Sequence, residues 1–287
     1  MRIDELFLSG GERPTISFEF YPPQNDAGAE TLFQTIHQLQ ALKPDFISIT
    51  RTGGGTEQTL ELTLRIQREL GIRTMSHLTC LHHNKDEMAA HLATLWEGGI
   101  RNVLALRGDP ENGQLVFKAP KNGFAYANEL AAFVAARQDF CIGVAGYPEG
   151  HPQCLNRTRD IETLKAKLDA GGRFIITQLF FDNADFFVWR DQCRAAGITV
   201  PIVAGIIPIE NVAQIKRFVT RCGAKIPQEL LLKLEAVEND PAAVYEVGIG
   251  HAIAQCRELI AGGVDGLHFY TLNKSKATAH ICAELGN

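Results

Sequence analysis

The sequence predicts a single (β/α)8 TIM barrel over residues 1–287, an α/β fold, and two repeating features support this prediction. Eight short apolar runs recur along the chain, and segments with the apolar spacing of amphipathic helices follow them. Strands that alternate with helices form a parallel sheet with right-handed crossovers. Eight such units close most naturally into a barrel, a fold that takes about 250 residues or more.

The eight predicted strands stand in order along the chain, each as a run of apolar, β-branched and aromatic residues. They are ISFEFYPP from Ile16, FISIT from Phe46, MSHLTC from Met75, NVLALRGD from Asn102, CIGVAGYP from Cys141, FIITQLFF from Phe174, PIVAGIIP from Pro201 and GLHFYTL from Gly266. The last connection, between Ile209 and Val264, is long and predicts several helical segments.

The predicted helices carry signals of their own. Leu32 and Ile36 lie one helical turn apart after the first strand. Glycine pairs at 98–99, 171–172 and 262–263 each precede a strand, where helix C-caps are expected. The alternative fold is an open doubly wound sheet. That fold usually carries a GxGxxG turn after an early strand, and this sequence has none.

The composition favours an enzyme for small molecules over a nucleic-acid binder. The formal charge is −5 at pH 7, and no basic stripe stands out. The seven cysteines are scattered without a CxxC pair, which argues against a disulfide framework and indicates a cytoplasmic location. No apolar run approaches the roughly 20 residues that span a bilayer, so no membrane partner is expected.

Polar residues gather at the carboxyl ends of the predicted strands, which is where (β/α)8 barrels place their active sites. Aliphatic residues would fill these positions in a barrel without such a site. These polar residues are Glu19, Thr50, His77, Arg107, Asp109, Tyr147, His151, Gln178, His268 and Tyr270. Their convergence on one rim predicts a binding site there.

Glu19 is the clearest catalytic candidate, because it stands between aromatic residues in SFEFYPP. An apolar setting removes water from a carboxyl group, which raises its pKa and keeps a proton available near neutral pH. Glu19 is therefore expected to act as a general acid. The alternative is a buried carboxylate that pairs with an arginine such as Arg107.

Two further groups of residues leave alternatives open. Asp160 and Lys167 are seven residues apart in a predicted helix, so they share one face. They either hold a ribose hydroxyl and a phosphate or form a solvated surface. His82, His83 and His91 would need carboxylate or cysteine partners at suitable spacing to bind a metal ion, and we expect no metal site.

Several of these segments together resemble the methylenetetrahydrofolate reductase family, in particular its short bacterial single-barrel type. The matching motifs are SFEFYPP, DFISIT, HLTC, NVLALRGD, GYPEGHP, KLDAGGRFIITQLFFD, PIVAGIIPI and LHFYTLNK, in family order over nearly the whole chain. The resemblance implies an enzyme that binds FAD and reduces 5,10-methylenetetrahydrofolate to 5-methyltetrahydrofolate. NADH rather than NADPH is the expected electron donor, and a homo-oligomer is the expected assembly.

The resemblance also implies roles for particular residues. Glu19 matches the general acid that helps to protonate N10 of the folate, and Asp109 matches a carboxylate that stabilises the resulting iminium cation. Contacts to the substrates are expected from Glu19, Asp109, Gln178, Phe218, Tyr270 and Lys274. Contacts to FAD are expected from Thr50, His77, Arg107, Gly108, Asp109, Tyr126, Ala127, Tyr147, His151, Asp160 and Lys167.

The sequence departs from the family pattern at three positions near the expected flavin. Arg51 stands where the family has an aromatic residue, and Thr163 and Ala166 stand where many relatives have asparagine and arginine. These changes keep a flavin-free reductase with direct hydride transfer as an alternative. A folate-binding methyltransferase barrel and a barrel that only binds folate are two others.

Overall fold

In a computed structural model, which describes residues 1–8, 13–23, 25–51, 56–81, 83–109 and 117–286, eight parallel strands close into one barrel. The strands are β1 (Thr15–Phe20), β2 (Phe46–Ile49), β3 (Thr74–Thr79), β4 (Asn102–Leu106), β5 (Cys141–Gly146), β6 (Gly172–Thr177), β7 (Ile202–Ile206) and β8 (Gly266–Tyr270). Each predicted strand is confirmed, and neighbours in sequence are neighbours in the sheet. The closed order excludes the open doubly wound alternative.

Helices surround the barrel and fill the connections between strands. They are α1 (Asp4–Leu8), α2 (Asp26–Gln40), α3 (Thr56–Leu70), α4 (Lys85–Glu97), α5 (Ala127–Ala135), α6 (Arg157–Asp169), α7 (Asn183–Ala195), α8 (Val212–Cys222), α9 (Gln228–Ala236), α10 (Pro241–Ala261) and α11 (Lys276–Glu284). The long last connection holds α8, α9 and α10, as predicted. None of the helices in the described ranges is long and apolar enough to cross a membrane.

Alternation along the strands separates an outer apolar face from an inner face that becomes polar towards the carboxyl end. On β1, the side chains of Ile16, Phe18 and Phe20 are buried in the large core that β1 shares with the helices. Ser17 and Glu19 alternate with them and lie on the inner face. The alternation therefore places Glu19 on the inside of the barrel, near the carboxyl end of β1.

Glycines end α4 and α10 as predicted. Gly98 and Gly262 follow the last helical residues. Gly99 (φ 84°) and Gly263 (φ 72°) then take the left-handed conformation that turns the chain towards the next strand. Glycine adopts this conformation without the steric cost that a Cβ atom brings.

The short helix α1 closes the amino end of the barrel. Ile3 is fully buried, and its backbone N–H donates to Asn102 Oδ1 at 2.8 Å. Phe7 packs against Phe174 with ring centroids 6.0 Å apart, and Phe46 contacts the same Phe174 ring at 6.3 Å. Apolar side chains therefore fill the inside of the barrel at its amino end, and the polar inner positions lie towards the carboxyl ends of the strands.

Replacing Phe174 with alanine should destabilise the barrel strongly, because the ring is fully buried in this inner cluster. We expect Phe174→Ala to lower the free energy of unfolding by about 3–5 kcal/mol, through lost burial and the cavity left behind. Chemical denaturation followed by circular dichroism measures the change. Val188→Ala is the control, because Val188 is 58% exposed on α7 and its loss should cost about 0.5 kcal/mol or less. Equal losses at both positions would contradict the packing described.

Candidate active site

A cavity of about 1740 Å³ lies at the carboxyl ends of the strands. Sites for single drug-sized ligands measure roughly 300–1,000 Å³, so this cavity is larger than a site for one such ligand. The predicted site residues that line it are Glu19, Thr50, His77, Arg107, Gly108, Asp109, Tyr126, Ala127, Tyr147, His151, Asp160, Lys167, Gln178, Phe218 and Tyr270. The remaining predicted contact, Lys274, lies outside this lining, with its Nζ 3.4 Å from Glu210 Oε2.

Glu19 lies within a polar cluster on the inner barrel wall. Its Oε2 is 3.3 Å from His268 Nε2 and 3.5 Å from His77 Nε2. The Ser48 hydroxyl donates to the same oxygen at 3.5 Å. On the other side of the His268 ring, Nδ1 lies 2.7 Å from Ser17 Oγ. The Glu19 side chain is 17% exposed and lines the cavity, so part of the carboxyl group is accessible to a ligand.

The expectation of a raised pKa for Glu19 is wrong for the chain without ligands. Burial raises the pKa of Glu19, but the hydrogen bond from His268, the nearby His77 and the Ser48 hydroxyl together hold it below its ordinary value. Burial lowers the pKa of His77 to about 4, so this ring is neutral at pH 7. Among the described residues, histidines rather than Arg107 pair with Glu19, and Arg107 Nε donates to Gly108 O at 3.2 Å.

The hydrogen bond between Glu19 and His268 depends on the tautomer of the imidazole. If the Ser17 hydroxyl donates to Nδ1, the neutral ring carries its hydrogen on Nε2 and donates it to Glu19. If Nδ1 donates to Ser17 instead, the Nε2–Oε2 contact at 3.3 Å needs a proton on Glu19 or a second proton on the ring. In either case one hydrogen atom lies between Glu19 Oε2 and His268 Nε2 at the cavity wall.

A partly buried cation lies on the α6 side of the cavity. Lys167 Nζ donates to Ala145 O at 2.6 Å, and burial lowers the pKa of Lys167 to about 8 while Asp160 acts in the opposite direction. Asp160 Oδ2 accepts a hydrogen bond from the backbone N–H of His151 at 3.2 Å. Asp160 and Lys167 both line the cavity, so their shared helix face is part of the site rather than a solvated surface.

Two polar atoms in the cavity wall have no hydrogen-bond partner among the described residues. They are Thr50 Oγ1, just after β2, and His77 Nε2 on β3, whose 3.5 Å contact with Glu19 Oε2 does not have the geometry of a hydrogen bond. An unsatisfied buried polar group costs about 1–3 kcal/mol, so both positions suit a ligand that supplies the missing partner. Both residues belong to the set expected to contact FAD.

Gly108 has a backbone conformation and a packing that favour glycine. Its φ is 86°, and a Cβ atom would lie 2.6 Å from Leu81 Cδ1. The neighbouring Arg107 guanidinium lies 5.4 Å from the centroid of the Phe117 ring. On the other side of Gly108, Asp109 is exposed at the cavity rim. This corner after β4 thus places a cation and a carboxylate on the same rim.

The structure adds residues to the site that sequence reasoning did not select. Arg51 and Thr163, noted only as departures from the family pattern, line the cavity together with His83 and Arg159. Ser17, Ser48 and His268 were not selected as partners of Glu19. Alternation provides a signal for these three, because each is a polar residue at an inward position of β1, β2 or β8.

The histidines after β3 form a small cluster beside the cavity. The rings of His83 and His91 meet edge to face with centroids 4.5 Å apart, and Glu87 Oε2 lies 3.7 Å from His83 Nδ1. His82 lies outside the residues that the structure describes. Within the described ranges, no three histidine, cysteine or carboxylate side chains are grouped so that they could hold a metal ion.

Comparison with known proteins links this barrel to a family. The family described as methylenetetrahydrofolate reductase matches residues 6–286. The chain belongs to the methylenetetrahydrofolate reductase family. Within it, 5,10-methylenetetrahydrofolate reductase of Pectobacterium carotovorum subsp. carotovorum is 36% identical over 277 residues, which cover 96% of this chain and 91% of that protein.

Other members of the methylenetetrahydrofolate reductase family are longer. Methylenetetrahydrofolate reductase (NADH) 1 of Zea mays is 38% identical over 301 residues, which cover 100% of this chain and 51% of that protein. The chain thus spans about half the length of the plant relatives it matches.

Solved structures share the barrel fold. An uncharacterized protein from Clostridium thermocellum, described as binding two copies of 5-methyl-5,6,7,8-tetrahydrofolic acid, matches with a TM-score of 0.65. The match covers 99% of this chain and 98% of that chain at 14% sequence identity. At this level of identity the likeness shows the fold alone.

Removing the His268 imidazole should leave the burial of Glu19 uncompensated. We expect His268→Phe to raise the pKa of Glu19 above its ordinary value, because the hydrogen bond is lost while the carboxyl group stays buried. Carbon-13 NMR titration of the glutamate carboxyl groups measures this, with Glu19→Gln to assign the resonance. His280→Phe, an exposed position on α11, is the control and should leave the pKa of Glu19 unchanged. A pKa that stays low in His268→Phe would show that His268 is not the deciding partner.

Proposed function

We propose that this chain reduces 5,10-methylenetetrahydrofolate to 5-methyltetrahydrofolate, with NADH as electron donor and FAD as the bound carrier. The observation that best supports this is the Glu19 carboxyl group, which contacts His268 at the wall of a large cavity and is partly accessible to a ligand there. The reaction consumes one hydride and one proton, and Glu19 is a titratable group on this wall that would supply the proton. Bacterial relatives that the chain matches over nine-tenths of their length carry the name of this reaction.

The cavity residues fit FAD, which when bound would accept a hydride from the nicotinamide and pass it to the folate. Lys167 would hold the diphosphate as a partly buried cation, and Asp160 would accept hydrogen bonds from sugar or ribityl hydroxyls. The Thr50 hydroxyl and His77 Nε2, without partners among the described residues, would bond to polar atoms of the ring system. Charged groups would thus face the diphosphate and the sugar of the dinucleotide, and uncharged polar groups would face its ring system.

Glu19 would donate its proton to N10 of the folate. Protonation makes N10 a leaving group, so the five-membered ring opens and leaves an iminium ion between N5 and the methylene carbon. Hydride addition to that carbon then gives the methyl group. Asp109, a carboxylate on the same cavity rim, would stabilise the positive charge as it develops.

Ligand binding would convert Glu19 from an ionised group into an acid. In the chain without ligands its pKa lies below the ordinary value, held there against burial by His268, His77 and Ser48. A folate in the cavity covers the remaining 17% of exposed side chain, and the added loss of water raises the pKa. Glu19 then takes up a proton as the folate binds, because an ionised carboxyl group without solvent is disfavoured. His268 is thus a positioning residue, which orients the carboxyl group through the contact between its Nε2 and Glu19 Oε2.

The folate and the nicotinamide would take turns on the wall formed by β6, α8 and β8. Gln178 Oε1 accepts from the backbone N–H of Leu179 at 2.9 Å, which leaves the amide Nε2 to donate to a ligand. Tyr270 OH donates to Thr177 O at 2.7 Å, which fixes the ring. Phe218 on α8 adds an apolar surface to the same wall.

Lys274 would have to change partners to serve the substrate. Its ammonium group lies beside Glu210 in the chain without ligands. A carboxylate on the glutamate tail of the folate would compete with Glu210 for this cation. The pair is partly exposed, so the exchange costs little, on the order of 1 kcal/mol or less.

The function is tested by colour and turnover together. We expect the purified chain, supplied with FAD, to show the visible absorbance of a flavoprotein. NADH should bleach it anaerobically, and methylenetetrahydrofolate should then restore the colour with formation of methyltetrahydrofolate. A colourless but active protein would support the flavin-free alternative, with direct hydride transfer. A protein that remains inactive with added FAD and NADH would rule out the proposed reaction.

Glu19→Gln should separate the two half-reactions. We expect flavin reduction by NADH to stay near the wild-type rate, because that step needs no acid at N10. Folate reduction should fall by about a hundredfold or more, because a positioned acid is lost. Stopped-flow absorbance follows each half-reaction, and Glu235→Gln, a surface carboxylate paired with Lys216, is the control. Equal losses in both half-reactions would assign Glu19 a structural role instead.

The proposed electron donor is NADH rather than NADPH. A preference for NADH over NADPH is supported by the Zea mays relative, whose name specifies NADH. Initial rates with the two coenzymes at equal concentration measure the preference. We also propose a homo-oligomer in the cytoplasm, and sedimentation equilibrium of the purified chain measures its size.

A further inference from the structure

Arg51 places a cation in the cavity wall beside neutral partners. Its Nη1 donates to Thr79 Oγ1 at 2.7 Å and to Leu81 O at 3.0 Å. Within the part of the chain that the structure describes, no carboxylate forms an ion pair with this guanidinium, and burial is the cause that shifts its pKa. Among the described residues these two bonds are made by Nη1, and a guanidinium has further N–H donors on Nε and Nη2 that suit a ligand.

Burial makes this unbalanced cation costly. It lowers the pKa of Arg51 to about 10, so the side chain is still charged at pH 7. Burial, and after it the charge of Arg51, also lower the pKa of the neighbouring His83 to about 4, which keeps that ring neutral. A charge held in a low-dielectric wall is stabilised when an opposite charge enters the same cavity. This part of the wall is therefore expected to bind a ligand group that carries negative charge.

The position of Arg51 distinguishes it from the other partly buried cation in the cavity wall, Lys167. Arg51 follows β2 and donates to residues on and after β3, whereas Lys167 lies on α6, between β5 and β6. Thr50 precedes Arg51, and His77 lies on β3, the strand that carries the Arg51 partner Thr79. Their polar atoms without a hydrogen bond among the described residues suit the nitrogens and carbonyls of a heteroaromatic ring. The side of the cavity around Arg51 is thus suited to the flavin ring, and the side around Lys167 to the phosphates.

We propose that Arg51 stabilises the negative charge that bound FAD gains on reduction, and so raises its midpoint potential. This inference rests on the proposed function. When NADH reduces the flavin, the nicotinamide C–H bond breaks, two electrons and one proton move to the flavin, and NAD⁺ is released. The ring system then carries one negative charge more than before.

The expected effect is large enough to measure. A unit charge about 6 Å away, at an effective dielectric constant of about 20, changes such an equilibrium by roughly tenfold to a hundredfold. We therefore expect Arg51→Gln to lower the equilibrium constant for flavin reduction by about tenfold or more. For a two-electron couple, tenfold corresponds to about 30 mV. Spectroelectrochemical titration of the FAD-loaded protein gives the midpoint potential without any turnover.

Two further variants make the test specific. Arg51→Lys retains the charge and should keep the equilibrium constant within about threefold of the wild type. Arg159→Gln removes the same formal charge from an exposed position that lines the same cavity. Solvent screens that position, so its equilibrium constant should change by less than about threefold. A shift in Arg159→Gln as large as that in Arg51→Gln would overturn the proposal.

The affinity for oxidised FAD separates the two ways in which a cation can serve the cofactor. If Arg51 held the diphosphate, Arg51→Gln would weaken both redox states equally and leave the potential unchanged, which would overturn the proposal. An unchanged potential with normal FAD binding would overturn it too and would leave the reductase assignment intact. If the wild-type chain took up no FAD, this inference would fail together with the flavin part of the proposed function.

Discussion

The parallel pairing of β1 with β8, which closes the barrel, is the contact on which the site depends. It sets Glu19 opposite Tyr270 in the strand register. It also brings the His268 ring, 249 residues away in sequence, to 3.3 Å from the Glu19 carboxyl group. Ser17 and Ser48 then bond to the same imidazole from the inner face of the barrel. Each of these polar groups would be costly to bury alone, and together they satisfy one another.

The charged residues around the cavity come from different elements of the barrel. Glu19 on β1 and Asp109 after β4 are carboxylates, and they suit a folate that becomes positive as its ring opens. Arg51 after β2 and Lys167 on α6 are cations set in the wall, and they suit a cofactor that carries phosphates and gains electrons. A closed barrel can present carboxylates to one ligand and cations to another in the same cavity, because each strand end faces the cavity from a different direction.

The apolar runs are sufficient to locate all eight strands, because strands covered on both faces need continuous apolar residues. The rim residues follow from them, since parallel strands end at one edge of the barrel. The hydrogen-bond partners that these residues find on other strands cannot be predicted from the apolar runs, because they depend on the register between strands. The motif around Glu19 therefore indicates the wrong direction for its pKa, which His268 and His77 decide from other strands. Lys274 likewise lies beside Glu210, from the connection after β7, and no local pattern indicates that pairing.

The protonation state of Glu19 in a folate complex tests the central claim most directly. Infrared difference spectroscopy of the wild type with 5-methyltetrahydrofolate at neutral pH, referenced to Glu19→Gln, reports whether this carboxyl group carries a proton. We expect the band of a protonated carboxyl group in the complex and that of a carboxylate in the free chain, because the ligand removes the remaining water from Glu19. A Glu19 that stays ionised in the complex would contradict its role as the acid.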